Sequence, residues 1–368
     1  MRRHDAFDAN AAGRVLPAAW AAYLEHGAGA GPGPHAQVAA ALGTTADHVR
    51  FTSGGTEANA HALAALLAAP HLRGQPRHAL ISAVDHAAVV QTARRLADRD
   101  PSLRVEQVQA DANGQILTAA VAARLQPQTC AVAVCMACNE TGVVQPVAEI
   151  GALLRPHGIG LHVDAVQAVG RLPVHFTQLQ QQGIGSLSLS GHKLGAVGGV
   201  GALLADPAIP NGLGLPDASA ENPAGCAALA VALAQRVGGD LLAQQRQLAS
   251  RRDRLEAAIG RQLTGVHVLG AAAPRLANTS CLLLSGCEGD GLMMALDLAG
   301  FLTSTGSACS AGSLEASPIL LGMGLSPTAA RQSLRLSLTE SVKIAEIDAL
   351  VDALVEAVRR ARALGGGD

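Results

Sequence analysis

The stretch "STGSACSAGSLEAS" (304–317) sets one thiol, Cys309, among glycine, alanine, serine and threonine. Such residues cannot pack a core, and a structural cysteine prefers burial, so the setting suits a reagent better than a structural thiol. Other residues have comparable chemical potential. Lys193 in "SGHKLGAVGG" follows a strand-like run and sits in a glycine-rich turn. Its amine can form a Schiff base with an aldehyde cofactor, although a solvated surface lysine has the same local sequence. Ser190 and His192 beside it can donate hydrogen bonds to a phosphate. Asp164 in "HVDAVQAVG" ends a strand, with Gln167 three residues on. A carboxylate held ionised there can keep a pyridine nitrogen protonated; an N-capping aspartate is the alternative. In "FTSGGTEAN" a strand, a Gly-Gly turn and a helix follow one another, so Ser53, Gly54, Gly55 and Thr56 are candidates for a phosphate cradle. His86 in "SAVDHAAVV" stands at a strand end, where an imidazole can stack on a flat ring and move protons. Arg335 in "SLRLSLT" alternates with apolar residues; its guanidinium can grip a carboxylate with two hydrogen bonds, or lie on the surface.

The frame that must position these groups is legible in outline. Strand-like runs at 49–51, 79–84, 104–109, 130–137, 160–165, 186–190 and 199–205 alternate with helical patterns at 57–69, 86–98, 118–125 and 146–157. Short apolar strands separated by helices predict a mainly parallel sheet covered on both faces, a doubly wound α/β domain over 12–238. Beyond it come a Gln- and Arg-rich helix at 241–263, the runs "VHVLG", "SCLLLS", "FLTS" and "SLRLSLT", and helices at 289–299 and 342–364. These predict a smaller α+β domain, 239–368 with 1–11, carrying the cysteine loop at about 303–317. The Pro/Gly/Asn-rich stretch 206–223 reads as a loop. "GAVGGVG" precedes a strand instead of linking a strand to a helix, so it is not a dinucleotide fingerprint.

Bulk properties narrow the function. A net charge of −2 gives no basic excess for nucleic acid or for a membrane surface. The chain is 49% hydrophobic but only 2% aromatic, and no run of about 18 uninterrupted apolar residues marks a membrane span. The N-terminus "MRRHDAFDANAAG" lacks the apolar core of a signal peptide. Seven cysteines, an odd number in a large chain, do not make a disulfide framework, so a reducing cytoplasm is expected. Cys130, Cys226, Cys281 and Cys287 lie in or beside apolar runs and read as small buried hydrophobes. "CMAC" (135–138) has the form C-x-x-C, but no second pair follows it, and no metal site is expected.

Taken together, "SGGTEAN", "NETGVVQP", "HVDAVQAVG", "SGHKLGAVGGVGALL" and "GSACSAGSLEAS" resemble, in order and spacing, the pyridoxal-phosphate-dependent cysteine desulfurases of the class V aminotransferase group. The resemblance runs from about Asp5 to about Asp348. It implies a fold type I architecture, pyridoxal 5'-phosphate as cofactor and a homodimer. It also implies conversion of L-cysteine to L-alanine, with the sulfur held as a persulfide on Cys309 and passed to an acceptor protein. The roles it implies are Lys193 for the Schiff base, Asp164 for the pyridine nitrogen, Gln167 for the ring hydroxyl and His86 for stacking. Gly55, Thr56, Ser190 and His192 would hold the phosphate. Asn139 and Arg335 would hold the substrate carboxylate. The sequence around Cys309 is similar to the subgroup with a long cysteine loop.

Three features depart from that family. Its Asn-Pro-Ser-Ser-x-His stretch is replaced by "EHGAGAGPGPHAQ". Its Gly-Gly-x-Gln-Glu…Arg…Gly-Thr-Glu-Asn segment reads "NGLGLPDASAEN", in which Glu221 and Asn222 match, Ala220 stands for the threonine and the arginine is gone. Cys138 stands where the family more often has asparagine. Both altered segments lie near the family's dimer interface. Two other readings share these residues: a selenocysteine lyase or related C–S lyase, and a non-catalytic homologue that serves another desulfurase as a scaffold.

Overall fold

A computed structural model describes residues 5–11, 13–25, 32–67, 75–206, 222–306 and 315–365. Cys309, Ala220 and Glu221 lie outside them. Seven strands form one sheet: β1 (Val49–Thr52), β2 (Arg77–Ser82), β3 (Leu103–Val108), β4 (Thr129–Cys135), β5 (Gly160–Asp164), β6 (Ser186–Ser190) and β7 (Gly201–Ala205). Their order is β1-β7-β6-β5-β4-β2-β3. The pairs from β3 across to β6 are parallel, and β7 runs antiparallel to both β6 and β1. Every residue of β2, β6 and β7 is buried, as expected where helices cover both faces of a parallel sheet. The expected mainly parallel α/β fold is therefore present.

A second, antiparallel sheet holds β8 (Val266–Val268), β9 (Thr279–Leu284) and β10 (Ser333–Ser337) in the order β10-β9-β8. Leu282, Leu284, Leu334 and Leu336 face a core completed by the helices Leu241–Gln262 and Ile344–Gly365. Phe7 also enters that core, edge-on to Phe301 with ring centroids 5.8 Å apart. The run "FLTS" is not a strand: Ser304 makes an isolated bridge to Arg335, because only there does the segment come beside β10. Several short helices went unread, among them Pro17–Leu24, Pro34–Ala41, Pro318–Gly322 and Pro327–Arg331. Each starts with proline at its first turn, the position where proline's fixed φ and missing N–H cost least, and that signal was available. No single helix among the described residues is long and apolar enough to cross a membrane.

The parallel strands point their C-terminal ends to one edge, where ligands bind in such sheets. Asp164 ends β5 and Ser190 ends β6, so the topology delivers both to that edge. Leu161, fully buried on β5, anchors the strand beneath Asp164. Leu161→Ala is expected to cost about 2–5 kcal/mol through lost burial and a residual cavity. Urea denaturation checks this.

Candidate active site

The site is best built upward from its most buried charge. Asp164 is buried, and its carboxylate accepts from Asn59 Nδ2 at 2.7 Å and from the Val166 N–H at 2.9 Å. Burial raises its pKa, and those hydrogen bonds with the nearby charges of His86 and Lys193 offset part of the rise. Behind it, Asn59 Oδ1 accepts from Ser188 Oγ at 2.5 Å and from His162 Nε2 at 2.8 Å. His162 Nδ1 lies 2.9 Å from Ser186 Oγ. Burial drives His162 down to about 3, so the ring is neutral. With Nε2 donating to Asn59, Nδ1 must accept from Ser186. The chain Ser186–His162–Asn59 thus turns the Asn59 amino group toward Asp164.

Around this carboxylate lies a cavity of about 560 Å³, at the edge where β5 and β6 end. Gly55, Thr56, Ser190 and His192 line one part of it. His86, Asp164, Gln167 and Lys193 line another, and Asn139 and Arg335 a third. The structure thus brings together every expected site residue that it describes. Lys193 sits in the helical turn Gly191–Leu194 directly after β6, and its Nζ donates to the carbonyls of Asn10, at 2.6 Å, and Ala11. His86 caps the helix Ala87–Arg99, its Nδ1 accepting from the Ala88 N–H at 3.1 Å. Gly54 and Gly55 open the helix Gly55–Leu67 onto the cavity. A Cβ on Gly55 would lie 2.6 Å from Val166, and one on Gly201 2.6 Å from the Gly54 backbone, so the turn needs glycine on both sides. Ser190 Oγ and His192 Nδ1 bond each other at 2.9 Å at the same end.

Arg335 is a buried residue, not a surface one. Its Nη2 pairs with Asp8 at 3.0 Å and its Nη1 donates to the Asn139 carbonyl at 3.3 Å, while Nε has no partner among the described residues. Asp8 is held in turn by Ser304 Oγ at 2.8 Å. Asn10 lies between these groups: its Nδ2 donates to the Asn139 carbonyl and to Thr279 Oγ1, and its own carbonyl accepts from Gln167 and Lys193. Sequence reasoning missed Asp8, Asn10, Asn59, Asp85 and His162. Asn59 could have been found from helical spacing, since it lies on the same face one turn after Gly55. His162 shares a strand face with Asp164 two residues on, and Asp85 adjoins His86, so both carried a local signal. Asp8 and Asn10 reach the site through tertiary contacts that no local pattern encodes. Asn222, a matched residue of an otherwise altered segment, caps the helix Pro223–Val237 by accepting from the Gly225 N–H at 3.1 Å.

The described thiols contrast with the setting of Cys309. Cys135, Cys138 and Cys281 are buried, and burial first of all pushes each thiol up. Burial thus disfavours the thiolates of the "CMAC" pair at the end of β4, in keeping with a packing role for Cys138. Asp85, just before His86, is buried too; desolvation and the charge of Asp164 raise its carboxyl well above the usual range.

The residues fit pyridoxal phosphate. A buried carboxylate lacking a bonded cation, a glycine turn opening a helix, and a lysine between them match its ring nitrogen, phosphate and aldehyde. The comparisons agree. The aminotransferase class-V family model matches residues 33–213. A cysteine desulfurase of Cereibacter sphaeroides is 37% identical over 332 residues, covering 88% of this chain and 83% of that one. The chain belongs to the cysteine desulfurase family. An IscS-like cysteine desulfurase of Mycobacterium tuberculosis is 35% identical over 340 residues, covering 88% of this chain and 84% of its own. In fold, a NifS-like protein superposes with a TM-score of 0.84 at 22% identity, over 98% of this chain and 100% of its own. The family's fold type I architecture is thus the one observed.

Glu140 of "NETG" adds a measurable consequence. It is buried, accepts from Ser317 Oγ at 2.7 Å, and has its pKa raised to about 7 by burial, with Ser317, Arg335 and His86 pulling the other way. Folding thus favours the protonated acid. The associated stability is full below about pH 4.5 and is lost as pH rises through about 7. Glu140→Gln keeps a neutral acceptor, so its stability relative to wild type should grow over that window. Urea midpoints at about pH 4 and about pH 8 read the difference.

Proposed function

We propose that the protein is a pyridoxal-phosphate-dependent cysteine desulfurase that converts L-cysteine to L-alanine and carries the sulfur on Cys309. The observation that carries this reading is the convergence of Lys193, Asp164, His86, Gln167 and Arg335 on one cavity of about 560 Å³. Gly55, Thr56, Ser190 and His192 would hold the cofactor phosphate, Asp164 its ring nitrogen, Gln167 its hydroxyl and Lys193 its aldehyde carbon. When bound, the cofactor supplies an electron sink for the amino acid's α-carbon.

The chain's own residues do the rest. The Arg335 guanidinium, oriented by Asp8, lines the cavity and would pair with the substrate carboxylate, with Asn139 beside it. Asp164 stays ionised once a cationic ring nitrogen faces it, because that charge offsets the burial penalty. Lys193 Nζ, which donates to two backbone carbonyls at the cavity, would take and return the α-proton. The Cys309 thiolate attacks the substrate sulfur. An S–S bond forms as the C–S bond breaks, the electron pair leaves with carbon, and protonation of that carbon gives the methyl group of alanine.

The reading extends to a homodimer in the cytoplasm that hands its sulfur to an acceptor protein. A reducing compartment suits a chain with an odd number of cysteines, seven in all.

Single-turnover incubation of the purified protein with L-cysteine tests the proposal. Wild type should release alanine and gain one sulfur atom by intact mass. Cys309→Ser should keep the bound cofactor's visible band, form no persulfide and release alanine on the order of 10³-fold more slowly or less. Lys193→Ala should lose turnover as well. A cofactor-loaded wild type that releases no alanine would overturn the proposal and make selenocysteine the next substrate to test.

A further inference from the structure

Gln167 is held at both ends of its amide. Its Nε2 donates to the Asn10 carbonyl at 3.2 Å, and its Oε1 accepts from Arg171 Nη1 at 2.9 Å. The two partners leave no freedom to exchange the ends. A backbone carbonyl only accepts, so the atom facing Asn10 must be nitrogen. A guanidinium only donates, so the atom facing Arg171 must be oxygen. Arg171 is itself tied down: Nη1 also donates to the Gln167 carbonyl at 2.8 Å, and Nη2 to the Ala9 carbonyl at 3.4 Å. It comes four residues after Gln167 through overlapping turns that follow β5, in which Ala168 and Val169 donate to the Ala165 carbonyl and Arg171 and Leu172 to that of Ala168. Burial draws its guanidinium down to about 10, which leaves it charged and donor-only at neutral pH.

One N–H of Gln167 Nε2 goes to Asn10, which leaves a second donor on a residue that lines the cavity. An N–H donor suits an ionised ring hydroxyl, whereas a flipped amide would turn an acceptor oxygen toward the same negative group. We infer that Arg171 is a positioning residue that acts through Gln167, locking its amide so that the cavity meets a donor. This rests on the proposed cofactor, and it assigns a task to a residue outside the set that would touch it.

The test is the pH midpoint of the visible absorption band of the bound pyridoxal phosphate, with no turnover involved. A donor to the ionised hydroxyl favours the form that has lost the neighbouring proton, so removing the donor raises the midpoint. Arg171→Met should raise it by about one pH unit, the tenfold change expected when one charge-assisted hydrogen bond is lost. Arg171→Lys, which keeps a charge and a donor, should stay close to wild type. In a Gln167→Ala background, Arg171→Met should add no further shift.

The double comparison separates this role from a bare charge effect. The other charged and titratable side chains lining the cavity, Asp164, His86, His192, Lys193, Glu57, Arg335 and Cys135, are the same in every variant. A lost charge acting directly on the ring would shift the midpoint equally with or without Gln167. An unchanged midpoint in Arg171→Met, or an equal shift in the Gln167→Ala background, would overturn the inference. Should Arg171→Met fail to fold, Arg171→Gln takes its place in the same two comparisons. A wild-type protein that acquires no visible band would overturn the functional reading itself, and this inference with it.

Discussion

A carboxylate buried at the edge of a parallel sheet is the constraint on which the site depends. Removing Asp164 from water penalises its charge, and neither Asn59 nor the Val166 N–H brings a positive charge to it. The surrounding sequence is arranged around that cost. A neutral histidine, two serines and an asparagine pass their hydrogen bonds in one direction, and the last donor in the chain ends on Asp164. Asp85, buried as well, has its carboxyl raised first by desolvation and then by the charge of Asp164. A site wired in this way suits a cation beside Asp164, as the protonated ring nitrogen of the proposed cofactor would be.

The second organising element is the short N-terminal segment. Ala9 and Asn10 bond to Ser337 at the end of β10, while Asn10 also reaches Asn139, Thr279, Gln167 and Lys193. Asp8 sets the guanidinium of Arg335. Groups proposed to hold the cofactor and groups proposed to hold the substrate carboxylate are thus braced by the same few residues. Burial explains why these contacts are so complete, since unpaired polar groups away from water are costly and most of those near the site have found partners.

The thiols show a division of labour. Cys135, which lines the cavity, and Cys138 and Cys281 are enclosed, and enclosure disfavours their thiolates. They fill space as small hydrophobes, whereas the sequence sets Cys309 among glycine, alanine and serine.

By itself the sequence determined the strand-helix alternation, and with it a mainly parallel sheet, because short strand-like runs separated by helical patterns predict helices covering both sheet faces. It also singled out the candidate groups, since Lys193, Asp164 and His86 stand in local patterns tied to strand ends and turns, and Arg335 in the alternation of a strand. Only the tertiary structure decided how those groups are aimed. Asp8 meets Arg335 across 327 positions, Asn10 meets Lys193 across 183, and Asn59 meets Asp164 across 105. Hydrogen bonds over such separations have no periodicity in the chain. They form where the topology places two buried polar groups together and excludes water from both.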